Sequence, residues 1–432
     1  MRSPAKIAAG LFMILLACPP AEGRQALQGG YRTAATASTT SSSASTDAAT
    51  PESPAPVPVV PHEWFGHGKP WREWSRMTGD WDTARTALEN RGVTLSLSQI
   101  GDASALATGG SRPRPVGRGL FDASVEMDFE RLMGWRGTTV KLQYLKKGGG
   151  LGSDCASEAQ GFSNIDADDF SGNGEVWVEQ QFGSFARLKA GRIDANTEFA
   201  FVENGAEFIN SSMGFTPTIS LLPTYPDPHA GIVLQVTPSA RTYVGGGLFN
   251  AGPAVAVGDF DARFGIGEAG VRWTARGGGR LGVGYWHAGG LAAAEDGTRS
   301  RLSTGGGYVV FDQALWSGDA RALAMFAQLG ASDARFSPVS RHAAVGFTAS
   351  GFVPSRAQDV IGVAVTGVRF GDTARCDESR LGTLAEMNVG AFYKLQLSPW
   401  LALKPDLQFV VHPRGAPTPS MLVGTLRVEV GF

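Results

Sequence analysis

From residue 93 onward, apolar and polar side chains tend to alternate one by one, the period of an extended strand with two unlike faces. The last stretch, 421–432, shows this plainly. Leu422, Gly424, Leu426, Val428, Val430 and Phe432 share one face, and Val423, Thr425, Arg427, Glu429 and Gly431 share the other. One such strand fits either a half-buried soluble sheet or a membrane barrel whose last strand must pair with its first to remove both edges. Residues 121–130 repeat the pattern, with Phe121, Ala123, Val125, Met127 and Phe129 opposite Asp122, Ser124, Glu126, Asp128 and Glu130. So do 385–397, where Phe392 falls among the polar-face residues, and 401–411. Within 401–411, Pro405 has no N–H for a ladder and predicts a bulge or an unpaired position.

Sixteen such segments can be marked between 93–101 and 421–432, with glycine blurring the alternation in the middle, as at Gly245, Gly246 and Gly247. The connections carry the orientation. The first, third, fifth and seventh (102–119, 147–174, 194–230 and 250–266) are long, and those between them are short turns; the trend weakens in the second half. A bacterial outer-membrane barrel has an even strand count, short periplasmic turns and long external loops. The expected fold is therefore an all-β, 16-stranded antiparallel transmembrane outer-membrane β-barrel over 93–432.

Ahead of it, residues 1–23 combine Arg2 and Lys6, an apolar run from Ile7 to Ala17, and the small-residue site Ala21-Glu22-Gly23, as in a secretory signal peptide. Leu15-Leu16-Ala17-Cys18 also has the form of a lipoprotein box, so lipidation of Cys18 stays open. Residues 24–63, rich in Ala, Ser, Thr and Pro, read as a disordered leader, and 64–92 as a periplasmic segment holding a short helix capped by Asp80 and stopped by Gly92.

Composition narrows the function. With 38 Lys and Arg against 40 Asp and Glu there is no basic stripe, so nucleic acid is not an expected partner. The 58 glycines suit a β-rich chain with tight turns and closely approaching backbones. There is no nucleophile elbow, no His-Glu-x-x-His and no paired Cys-x-x-Cys, so neither an enzyme, a metal site nor a cofactor is expected. Cys155 and Cys376 both fall in external loops, where one disulfide and two reduced thiols fit equally.

Several segments together resemble the carbohydrate-selective porin (OprB) family: Met77-Thr78-Gly79-Asp80-Trp81 with the helix after it, Phe162-Ser163-Asn164-Ile165-Asp166-Ala167, Lys189-Ala190-Gly191-Arg192-Ile193-Asp194-Ala195, Phe208-Ile209-Asn210-Ser211-Ser212-Met213-Gly214-Phe215, Leu397-Ser398-Pro399-Trp400-Leu401 and Lys404-Pro405-Asp406-Leu407-Gln408. The resemblance implies a sixteen-stranded barrel in the outer membrane of a Gram-negative bacterium, passively admitting sugars past a folded-in loop. Its expected partners are outer-membrane lipid and small carbohydrates, with monomer and homotrimer both open.

A barrel of this size leaves an aqueous channel, so selectivity must come from something inside it. The longest loop, 194–230, the third external one, is the natural choice for its aromatic rings, acids and stiffening prolines. Rings can lie on the C–H face of a sugar while carboxylates and guanidinium groups bind its hydroxyls. Expected constriction residues are Glu126, Arg192, Asp194, Glu198, Phe199, Phe201, Glu207 and Asp406. A monosaccharide or polyol channel is the reading this favours, with a general or anion-leaning porin and a structural or adhesion barrel as alternatives.

Overall fold

A computed structural model of the chain describes residues 68–432, apart from 110–114, 153–154, 157, 251–261, 294–298, 319–320 and 373–384. The expected signal peptide, the leader, Cys18 and Cys376 lie outside the described residues, so the pairing of Cys155 is not described. Cys155 itself is buried.

Sixteen antiparallel strands close into one barrel in which each neighbours the next and β1 pairs with β16. In order they are β1 Val93–Thr108, β2 Val116–Asp128, β3 Thr138–Gly149, β4 Phe170–Phe182, β5 Ala186–Ile193, β6 His229–Ser239, β7 Thr242–Asn250 and β8 Ala262–Trp273. The second half comprises β9 Gly279–Ala293, β10 Arg299–Ser317, β11 Ala322–Ser332, β12 Val339–Ser350, β13 Val360–Phe370, β14 Ala385–Ser398, β15 Leu401–Val411 and β16 Met421–Gly431. Seam register sets Asp102 opposite Arg427 and Gln99 opposite Val430, and the Phe432 N–H donates to the Leu97 carbonyl over 2.9 Å. The chain end therefore belongs to the ladder that removes the last edge.

Alternation sorts the faces. Leu248, Tyr285 and Leu407 are 65%, 62% and 57% exposed and point outward with Val178, Leu234, Val283, Leu329, Val363 and Leu426. Such a skin is stable against hydrocarbon, where a closed ladder presents no open edge of unpaired backbone groups. The largest apolar core lies inside, where Phe199, Phe208, Met213 and Phe215 from the 194–228 loop pack on Phe264, Trp286, Phe326 and Phe392 of the wall.

Strands run longer than the alternation indicates, β1 to Thr108 and β10 over Arg299–Ser317. The reason is that lumen-facing positions near the loop end are not all polar. Ile100 and Leu120 face inward but are covered by Ile165 and Tyr225 from the loops, so pairing persists where the polar signal fades. Pro405 keeps register with Leu426 on β16. On the other side, β14 and β15 pair from Phe392 with Asp406 and again from Leu395 with Leu403 at unchanged register, so the missing N–H leaves an unpaired gap rather than a bulge.

At the turn end, helix α1 (Ala84–Asn90) begins after Thr83; Asp80 Oδ1 accepts from the Thr86 N–H, and Gly92 takes a φ of +94° as the chain turns into β1. This segment is tied to the seam by the Met77 N–H donating to the Gly431 carbonyl at 2.8 Å and by Trp71 against Trp400, ring centroids 4.4 Å apart.

Candidate functional site: the lumen and its folded-in loop

The 194–228 connection leaves β5 and turns into the barrel instead of outward. Asp194 starts it: its carboxylate accepts from the Asn196 N–H at 2.9 Å and the Tyr225 N–H at 3.2 Å, joining the two ends of the loop. Burial, reinforced by Glu175, raises this carboxyl to about 7. The loop then follows the inner wall. Phe199 lies against β7, the Ala200 N–H donates to Glu268 on β8 at 3.0 Å, and the Asn204 N–H donates to Asp312 on β10 at 3.0 Å. Farther on, Asn210 Nδ2 donates to Gln408 on β15 at 3.0 Å, and Thr216 Oγ1 lies 3.1 Å from His342 on β12.

Glycines of the wall make this fit. A Cβ on Gly247 would come within 2.9 Å of the Phe199 ring, on Gly330 within 2.2 Å of Thr216 Oγ1, and on Gly390 within 2.7 Å of Met213 Cε. The glycine-rich middle strands are thus the bed of the loop.

Charges meet in three groups. At β4–β6, Glu198 accepts from Lys189 Nζ at 2.6 Å, from Arg187, and from Gln235 Nε2 at 3.2 Å. Glu179 also pairs with Arg187, at 2.7 Å, and Lys189 Nζ sits 4.0 Å over the Trp177 ring. Burial alone would raise the Glu198 carboxyl, but Lys189 and Arg187 outweigh it and hold it below the usual range. At β14–β16, Glu207 and Glu429 share two ammonium groups: Lys404 Nζ is 2.8 Å from each carboxylate, and Lys394 Nζ is 3.0 Å and 3.4 Å away. Burial is again outweighed, here by Lys404 and Lys394, which keep Glu207 low. At β8–β10, Arg280 lies 4.1 Å over the Phe201 ring and donates to the Phe201 carbonyl, beside Glu268 and Asp312.

The expected pore residues therefore separate. Phe201 and Glu207 are half-buried at the loop's inner edge, and Glu126 is exposed on the lumen face of β2 opposite Lys141. Glu198 is brought among wall cations but is 5% exposed, its oxygens already taken. Phe199 is fully buried as an anchor, Asp194 holds the base of the loop, and Asp406 is covered beneath Gln408 and the 160–165 segment, so none of the three faces open lumen. Arg192 is a correction of parity. It pairs with Val176 and Ala230, whose neighbours Val178 and Ile232 face out, so its side chain leaves the lumen side and binds Asp227 at 2.6 Å. Sequence reasoning does not single out Glu268, Arg280 or Asp312. Inward parity on three successive strands was the available signal.

A family model described as carbohydrate-selective porin, OprB family, matches residues 117–432. The chain belongs to this family. Porin B of Pseudomonas aeruginosa is 23% identical over 416 residues, covering 82% of this chain and 91% of that protein. The high-pH structure of Pseudomonas putida OprB superposes with a TM-score of 0.75 at 20% identity, covering 83% of this chain and 99% of that one. The low-pH structure gives 0.57 at 19% identity over the same shares. This carbohydrate-selective porin is a channel of the Gram-negative outer membrane for sugar diffusion, not an enzyme.

Proposed function

We propose that the channel passes small uncharged polyols, monosaccharides foremost, through the space left between the edge of the 194–228 loop and the charged wall of β2–β5 and β14–β16. The observation that supports this most is the pairing of lumen charges: two loop carboxylates, Glu198 and Glu207, each sit on two wall cations. Paired charges give strong local fields with little net sign, which suits hydroxyl-rich neutral solutes over either ion. The half-buried Phe201 ring, stacked under Arg280, adds an aromatic group at the edge of the loop. Residues 1–23 serve export to the periplasm, and the chain inserts from there.

Single-channel recording in a planar bilayer tests the reading. Glucose or a related polyol at millimolar levels should lower ion current, with a reversal potential near zero in a salt gradient. A strongly anion-selective potential with no sugar effect would replace the reading with a general porin.

A further inference from the structure

The outer wall carries a second pattern. Charged or imidazole residues at outward-facing strand positions include Lys146, Arg192, Arg263, His287, Arg341 and Arg369. All lie toward the end of the barrel from which the 194–228 connection leaves the wall; Arg192 is met by the loop carboxylate of Asp227, and no carboxylate occupies an outward-facing strand position among the described residues. Two of them stand directly opposite one another: Arg341 on β12 pairs in register with Arg369 on β13. Both are exposed, and neither side chain has an ion pair or hydrogen bond among the described residues. Like charges directly across a ladder repel, and a lipid-facing wall offers little water to screen them.

Below this pair the wall is hollow. Gly307, Ala331, Ala343, Gly367 and Ala385 present small outward faces between the larger Val283, Leu329 and Met387, leaving an open apolar depression of about 790 Å³ with the two arginines at its edge. An anionic headgroup over acyl chains has this shape and charge.

We infer that Arg341, Arg369 and the depression beneath them hold one phosphorylated glycolipid of the external leaflet, its phosphate between the guanidinium groups and an acyl chain in the hollow. Two planar forks converging on one anion suit phosphate. A second copy of this chain is the poorer occupant, because the outward strand positions among the described residues offer no carboxylate to meet the pair.

The test is retention of lipopolysaccharide by full-length protein extracted in mild detergent, read by native mass spectrometry, with enzymatically dephosphorylated lipopolysaccharide and phosphatidylglycerol as separate probes. Arg341→Gln with Arg369→Gln should lower retention about tenfold, the scale of losing charge-assisted hydrogen bonds. Gly367→Trp should lower it by filling the hollow; a Cβ there has as its only near neighbour the Glu386 carbonyl, at 3.8 Å. Channel conductance should be unchanged in both variants, which reports that they fold. Equal retention by the double variant, equal binding of dephosphorylated lipid, preference for phosphatidylglycerol, or a change in oligomeric mass without lipid loss would each overturn the inference.

Discussion

At the scale of single residues, the lumen shows that a charge facing inward is not thereby free to meet a solute. Glu198 is held by Arg187 and Lys189, so Glu198→Gln would leave two cations short of a partner. The expected outcome is a reversal potential shifted toward anion preference in a salt gradient; an unshifted potential would show that these groups lie outside the ion path. Gly247 makes a steric counterpart. Its added Cβ would meet the Phe249 ring at 2.6 Å and Phe199 at 2.9 Å, so Gly247→Leu should cost about 1–3 kcal/mol through overpacking. Thermal unfolding in detergent measures it, and an unchanged midpoint would mean that the loop yields without penalty.

At the scale of elements, the 150–169 and 194–228 connections carry carboxyls whose pH dependences run in opposite directions. The Asp194 carboxyl, raised to about 7, and the Glu158 carboxyl, raised by burial and by the neighbouring Glu386, bind protons more tightly in the folded loops than in an unfolded chain. What they contribute is complete below the ordinary carboxylate range and is lost as pH rises through their folded values. Glu198 and Glu207, held low by their cations, contribute above the ordinary range and lose that contribution as pH falls below it. Protection of the 194–228 loop from proteolysis should therefore be greater near pH 6 than near pH 8.5, and Asp194→Asn should flatten that difference. Protection that rises with pH in the wild type would contradict the assignment. The β14–β15 gap at Pro405 is a further element-scale feature: the ladder tolerates one missing donor because register on the β16 side is continuous.

At the scale of the whole molecule, closure is the condition for everything inside it. The β1–β16 seam joins residues more than three hundred positions apart through Asp102 and Arg427, whose Nε lies 2.7 Å from Oδ1. Removing 421–432 should abolish the heat-modifiable band shift of a folded barrel on electrophoresis, since an open edge in lipid leaves a row of unpaired backbone groups. A retained shift would show closure by another pairing. The sequence by itself determined the barrel, its sixteen strands and, Arg192 apart, the faces of the plainly alternating strands, because a period of two is a local property of an extended chain and survives any arrangement of the loops. Only the tertiary structure decided which inward residues meet water. Phe392 is covered by Phe208, Asp406 lies beneath the 160–165 segment, and Glu126 stays open, and nothing in their own strands distinguishes them. Burial on the lumen face is set by loops that arrive from distant parts of the chain, a contact that local alternation does not encode.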